Sequence, residues 1–235
     1  MDRNLYERAN DCRWWALSPA LQRGLQADAD DAQATAALNG VLDHVNSLYT
    51  VYSRLVVFDR TGRVRAASRV ADAPALLGST IDPRWLASVQ RLTGSQHYAV
   101  SEFEDTPLHD GGPTYTYLAA VRDPATGQAL GGIAIVFHAA RELSGMLHDV
   151  FGERAGFAAF LDDQGRVLAS SDPTLSDGAP LQAGGPQDMF EHRGAHYVWA
   201  ASRAGGYREF KTADGYANGV RAVVGINVPQ PDMKA

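Results

Sequence analysis

The chain has 235 residues, 45% of them apolar and 20% charged, with 21 Lys and Arg against 27 Asp and Glu. That is globular composition for one large or two small domains, and a net charge of −6 without a basic stripe excludes a nucleic-acid partner. The most apolar window, 129–140, is too short and too glycine-rich to span a bilayer, and the single cysteine, Cys12, offers neither an internal disulfide nor a cysteine-based zinc site.

Residues 2–26 read as a long helix interrupted at Ser18-Pro19. A second helix is expected over 31–49, where Leu38, Val41, Leu42, Val45 and Leu48 recur at steps of three and four. A strand pair at 53–58 and 63–68 follows, turning on Asp59 and Gly62. Asp82-Pro83 then opens a short helix, since Asp is a good N-cap and Pro suits the first helical position. Three longer strands, 97–103, 114–121 and 130–137, close this unit, the last two separated by a turn marked by Pro124 and Gly127. A helix over 139–151 leads to a smaller unit with strands at 157–161, 166–170, 195–202 and 220–228. The domains expected are a helical region 1–50, a larger module 51–138 and a smaller module 139–235.

The chain also repeats itself. Asp59-Arg-Thr-Gly62-Arg63-Val64-Arg-Ala66-Ala-Ser68 recurs as Asp162-Asp-Gln-Gly165-Arg166-Val167-Leu-Ala169-Ser-Ser171, six of ten positions matching at a constant spacing of 103. Each copy follows an apolar run, so each is expected to be a strand, a tight turn and a return strand.

These units, in this order, resemble the double Cache ligand-binding domains of bacterial chemoreceptors and sensor kinases. The likeness is carried by Val56-Val57-Phe58-Asp59, Asp82-Pro83-Arg84-Trp85, Val100-Ser101-Glu102-Phe103, Thr114 to Val121 and Gly131 to Phe137. It implies an α+β fold: a long N-terminal helix followed by two tandem PAS-like modules with mostly antiparallel sheets. It further implies a ligand pocket in the larger module, between the sheet and the short helix with its following loop.

Seven residues are the candidates for ligand contact. Arg84 offers a planar fork for a carboxylate, and as a cation in a first helical turn it calls for a partner, protein or ligand. Trp85 is either a pocket wall or a core anchor. Tyr115 and Tyr117, two apart, are expected on one sheet face, lining the pocket or covering the solvent side. Tyr98 and Ser101 are weaker candidates, and His138 sits where strand gives way to helix. The amino-acid-sensing branch of the resembled family carries an Arg-x-Trp-Tyr-like element and an acid on the last strand. Here Arg84 and Trp85 are adjacent and 133–137 lacks an acid, which points away from an α-amino acid ligand. A polar-aromatic loop over 205–216 reads as packing beneath the smaller sheet.

No catalytic motif is present: neither Gly-x-Ser-x-Gly, His-Glu-x-x-His nor a phosphate loop occurs. His192 and His196 have metal-like spacing, but Gly194 breaks the helix such a site needs. The expectation is a non-enzymatic sensory domain with no metal or other cofactor, binding a small polar organic ligand. The resemblance implies the periplasmic part of an inner-membrane receptor, most simply a methyl-accepting chemotaxis protein, anchored by segments outside this sequence and able to pair as a homodimer through the N-terminal helix. The alternatives are an interaction domain of the same fold with no small-molecule ligand, or a cytoplasmic sensor.

Overall fold

A computed structural model describes residues 1–147, 150, 156–175, 181, 189–192, 194–203 and 218–228. The expected loop over 205–216 lies outside the described residues. The chain divides into two compact units, Asn4–His138 and Ala139–Ala235, the latter also taking in Met1–Arg3.

In the first unit the N-terminal helical region is α1 (Asp2–Ala16), α2 (Pro19–Gln26) and α3 (Ala32–Leu48). Pro19 separates α1 from α2, and Asp31 caps α3 by accepting from the Gln33 and Ala34 amides. Then come β1 (Tyr52–Asp59), β2 (Val64–Ala67), α4 (Pro83–Arg91), β3 (Ala99–Val100), β4 (Glu104–Asp105), β5 (Pro113–Thr114), β6 (Thr116–Arg122) and β7 (Ala129–Phe137). As its N-cap and proline foretell, α4 begins with the Asp82 carboxylate accepting the Arg84 amide at 2.7 Å. Five strands form an antiparallel sheet in the order β2-β1-β7-β6-β3, while β4 and β5 pair separately as a hairpin.

The expected strand 97–103 is therefore broken. Only Ala99 and Val100 pair with β6, and the Ser101 hydroxyl then takes the Thr116 amide at 2.9 Å, ending the ladder. From Asn4 onward the helices of 1–50, expected as a region of their own, belong to the same compact unit as the first sheet: α3 packs on β1 and β2, and α2 on β1, β6 and β7.

Both faces of this sheet are covered. On one, Val56, Phe58, Leu118, Ala120, Ala134 and Val136 pack with Trp85 and Val89 of α4. On the other, Leu55, Val57, Ala119, Ile133 and Ile135 are at most 2% exposed, which requires the cover that α2 and α3 give. Gly132 sets how near α4 sits. A Cβ there would lie 2.4 Å from the Phe58 ring and 3.0 Å from Val89, so only glycine allows this approach.

In the second unit α5 (Ala139–Leu147) precedes β8 (Gly156–Leu161), β9 (Val167–Ser170), β10 (Met189–His192), β11 (Ala195–Arg203) and β12 (Arg221–Val228). The sheet order β9-β8-β12-β11-β10 is that of the first sheet, strand for strand, and α5 packs on β8 and β9 as α3 does on β1 and β2. The sequence repeat is equally a repeat of hydrogen bonds. Asp59 accepts from the Thr61 and Arg63 amides, and Asp162 from those of Gln164 and Arg166. Gly62 and Gly165 hold φ of +85° and +84°, which a side chain disfavours. The Leu55 amide donates to the Ser68 hydroxyl at 2.8 Å, and its counterpart Ala158 to Ser171 at 2.9 Å. Even the register shift falls at matching places, Val57/Phe58 and Phe160/Leu161. Among the described residues, no helix is long and apolar enough to cross a membrane.

Candidate functional site

Strand alternation decides which side chains meet α4. Val136 of β7 stands opposite Arg54 of β1 and Thr116 of β6, and Ala134 opposite Val56 and Leu118. Residues paired across strands share a face, so Arg54, Thr116 and Val136 form a row on the α4 side. His138 continues that alternation just past β7, its amide donating to the Val51 carbonyl at 2.8 Å.

The β4–β5 hairpin lies over this row. Its tip is a 3-10 turn, Pro107–His109, that packs on β1 and contributes the buried Leu108 to the core beneath α4. The tip is held chiefly by its own bonds: the Thr106 amide donates to the Gly112 carbonyl at 3.2 Å, and the Gly111 amide to Thr106 at 3.1 Å. The Thr114 hydroxyl bonds the Phe137 carbonyl at the foot of the hairpin.

Glu104 fastens the hairpin to α4. One carboxylate oxygen accepts the Trp85 indole N–H at 3.2 Å, and the other pairs with Arg84 at 2.8 Å. Arg84 is also paired with Asp82 at 2.6 Å, and these bonds hold the Asp82 carboxyl below, and the Arg84 guanidinium above, their ordinary ranges. The cation that the first helical turn called to be paired thus has two protein partners. Its side chain is still 67% exposed, so the ion pairs are worth little as stability and act as a latch.

Beneath the tip lie polar side chains that each carry a buried, unbonded atom. Arg54 is 7% exposed; its Nη1 donates to the Ser68 and Arg69 carbonyls, both at 3.2 Å, while its Nε is buried and unbonded. Among the described residues it forms no ion pair. The Thr116 hydroxyl is buried without a partner in a residue that is 0% exposed. His109 and His138 meet edge to face with ring centroids 5.1 Å apart, and the Nδ1 of each is buried and unbonded. Burial, with His138 beside it, lowers the His109 pKa and favours the neutral ring.

The seven sequence candidates therefore scatter. Arg84 and Trp85 form the latch. Tyr117 pairs with Ile135 and so faces away from α4, on the side that α2 covers; at 3% exposed it lines neither solvent nor the α4 face. Tyr115 falls in the break between β5 and β6, so the expected shared face does not exist, and its ring packs against Phe103 at 5.2 Å. Tyr98 stacks on the Arg13 guanidinium, 5.2 Å from the ring centre, beside α1. Ser101 spends its hydroxyl on the Thr116 amide and the Glu102 carbonyl. Of the seven, only His138 joins the buried polar group. Arg54, Glu104, His109 and Thr116 were not singled out, although strand alternation puts Arg54 in phase with Val56 and Phe58, a charge on the core side of a strand.

The sequence matches no protein-family model and no curated protein. In structure the chain is similar to the sensor domain of the V. cholerae histidine kinase DctB: TM-score 0.69, 15% identity, covering 97% of this chain and 92% of that one. It is also similar to the ligand-binding domain of the Pseudomonas fluorescens chemoreceptor CtaA in complex with L-leucine, with TM-score 0.60, 14% identity and coverage of 96% and 88%. The ligand-binding domain of the Pseudomonas aeruginosa PAO1 amino acid chemoreceptor PctC, in complex with GABA, matches with TM-score 0.56, 20% identity and coverage of 95% and 89%. At these identities the likeness establishes the fold, the tandem α+β arrangement of double Cache sensor domains.

Proposed function

We propose that this chain is the sensory part of a bacterial signal-transduction receptor, most simply a methyl-accepting chemotaxis protein, and that it binds a small polar organic molecule and catalyses nothing. The observation that carries this reading is the match, over nearly the whole of both chains, to solved sensor and ligand-binding domains. The ligand would sit in the first module, on the α4 face beneath the β4–β5 hairpin. Support comes from the polar groups buried there and from a hairpin tip bonded mainly to itself, which can lift without tearing the sheet. The donor-rich lining favours a ligand with a carboxylate or another acceptor over an α-amino acid, since neither Ala134 nor Val136 offers an acid to an ammonium.

By the same reading the chain works in the periplasm, held to the inner membrane by segments outside this sequence, and pairs with a second copy through α1, where Trp14 and, just past the helix end, Leu17 are exposed. Thermal-shift screening of organic acids, amino acids and amines tests the sensory role. A true ligand at 100-fold its Kd stabilises by ~2.7 kcal/mol. Its amide shifts should concentrate in 82–116. If no compound of any class stabilises the chain, small-molecule sensing fails and an interaction domain of the same fold takes its place.

A further inference from the structure

Nine buried side-chain atoms among the described residues lack a hydrogen-bond partner, and four of them, on Arg54, His109, Thr116 and His138, fall on the α4 face or the hairpin tip above it. Buried polar groups are nearly always bonded, so such a concentration calls for a specific cause. The chemistry of the group is directional. Arg54 can only donate, the Thr116 hydroxyl can donate, and a neutral imidazole donates from one nitrogen, so the cluster is matched by an acceptor carrying negative charge.

Resting on the sensory reading above, we propose that Arg54 anchors the ligand, holding a carboxylate under the 107–109 tip with Thr116 and the His109/His138 pair beside it. Arg84 is not the anchor. It stands outside this cluster, already paired with Asp82 and Glu104, and serves to fasten the hairpin that covers the anchor. Arg54 suits the part because burial disfavours its charge and no carboxylate of the described protein pairs with it, so an incoming carboxylate supplies the missing half of an ion pair. Asp110, exposed on the hairpin, and Asp72, paired with Arg69 at 2.9 Å, are the acids near enough to favour the charge. They offset burial and the neighbouring Arg69 cation, which both disfavour the charge, without taking its donors. The ligand class that follows is a short organic acid: a carboxylate for Arg54 and a small body able to lie against Val136 and Leu108.

The test uses the whole chain labelled with nitrogen-15. The Arg54 Nε–H and the histidine ring nitrogens are followed while sodium acetate, pyruvate, L-lactate and succinate are added, with acetamide and sodium chloride as neutral and ionic controls. Saturable shifts at Arg54 and at His109 or His138 with at least one carboxylate, and none with acetamide or chloride, are expected. Arg54→Lys, which keeps the charge and loses the fork, should weaken that binding at least ~10-fold, whereas Arg84→Gln should leave the Arg54 shifts in place. A carboxylate that binds Arg54→Lys as well as the parent overturns the anchor and leaves the sensory reading standing. So does stabilisation by amines or amino acids whose shifts bypass Arg54. Long-lived water contacts at Arg54 Nε with no response to any acid would make the cluster a hydrated structural element and overturn it too. Should no compound of any class bind, the sensory reading itself fails.

Discussion

Replacing Thr116 with Val should make the protein more stable, an unusual outcome for a fully buried site in a central strand. The hydroxyl is removed from water and bonded to nothing. A buried polar group left in that state costs ~1–3 kcal/mol. Val has nearly the same shape, leaves no cavity, and is at least as suited to a strand. The backbone bonds of position 116, to the Ser101 hydroxyl and the Ser101 amide, do not involve the side chain and persist. The net expectation is a gain of ~1–2 kcal/mol, or ~3–6 °C in the melting of a unit of this size. Urea unfolding followed by amide signals of β6 and β7 reads the first module separately from the second. In the presence of a saturating organic acid the gain should shrink or reverse, because the parent hydroxyl then has a partner. A Thr116→Val protein destabilised by more than ~1 kcal/mol would show that the hydroxyl is satisfied, and the case for a polar cluster awaiting a ligand would lose one of its four members.

Glu104→Gln should loosen the hairpin: with Arg84 unpaired from it and the Trp85 N–H less strongly held, hydrogen exchange of amides 106–112 should quicken ~3–10-fold while β1 and β7 are unaffected. Asp162→Ala removes acceptors for two amides and the Arg166 side chain, and should cost the second module ~2 kcal/mol in urea unfolding. The depressed His109 pKa means that the unfolded chain binds the proton more tightly. Stability from this residue is therefore full above about pH 6.5, is lost as pH falls below it, and its slope should vanish in His109→Gln, as urea midpoints between pH 8 and 5 would show. Trp14→Ser should shift sedimentation toward monomer if α1 pairs two copies; unchanged sedimentation of a dimer would remove α1 from the contact.

The turns and caps were legible because they are local chemistry. Asp59 and Asp162, each followed by a left-handed glycine, specify the same loop wherever they occur, and Asp82-Pro83 specifies a helix start. The faces of β6 and β7 were not. Helices cover both sides of the sheet, β6 is buried from Thr116 to Val121, and a strand buried on both faces loses the polar–apolar alternation that tells one face from the other. Hence Tyr117 could not be assigned to a side, and the break at Tyr115 left no continuous strand from which to count. The placement of Arg54 is hidden in the sequence for a related reason. In a run as apolar as Leu55 to Phe58, one preceding arginine reads as the polar edge of a strand, and only the strand partner Val136 reveals that it points to the core side. Glu104 draws its role from Arg84 and Trp85, some twenty residues earlier, a contact made only when the hairpin folds back over α4.

Gly132 has a mechanical consequence for how this module can move. With the Phe58 ring where a Cβ would stand and Val89 just above, α4 is already seated at the end of its travel toward the sheet. It behaves as a hard stop, whereas the hairpin, latched to α4 through Glu104, moves outward by withdrawing Leu108 from the core beneath α4. A molecule entering beneath the tip would do its work against the hairpin, and the load would pass to the strands at the foot of β5 and β6. Filling the stop with a methyl group, Gly132→Ala, would lift α4 off its seat and give the module two moving walls in place of one.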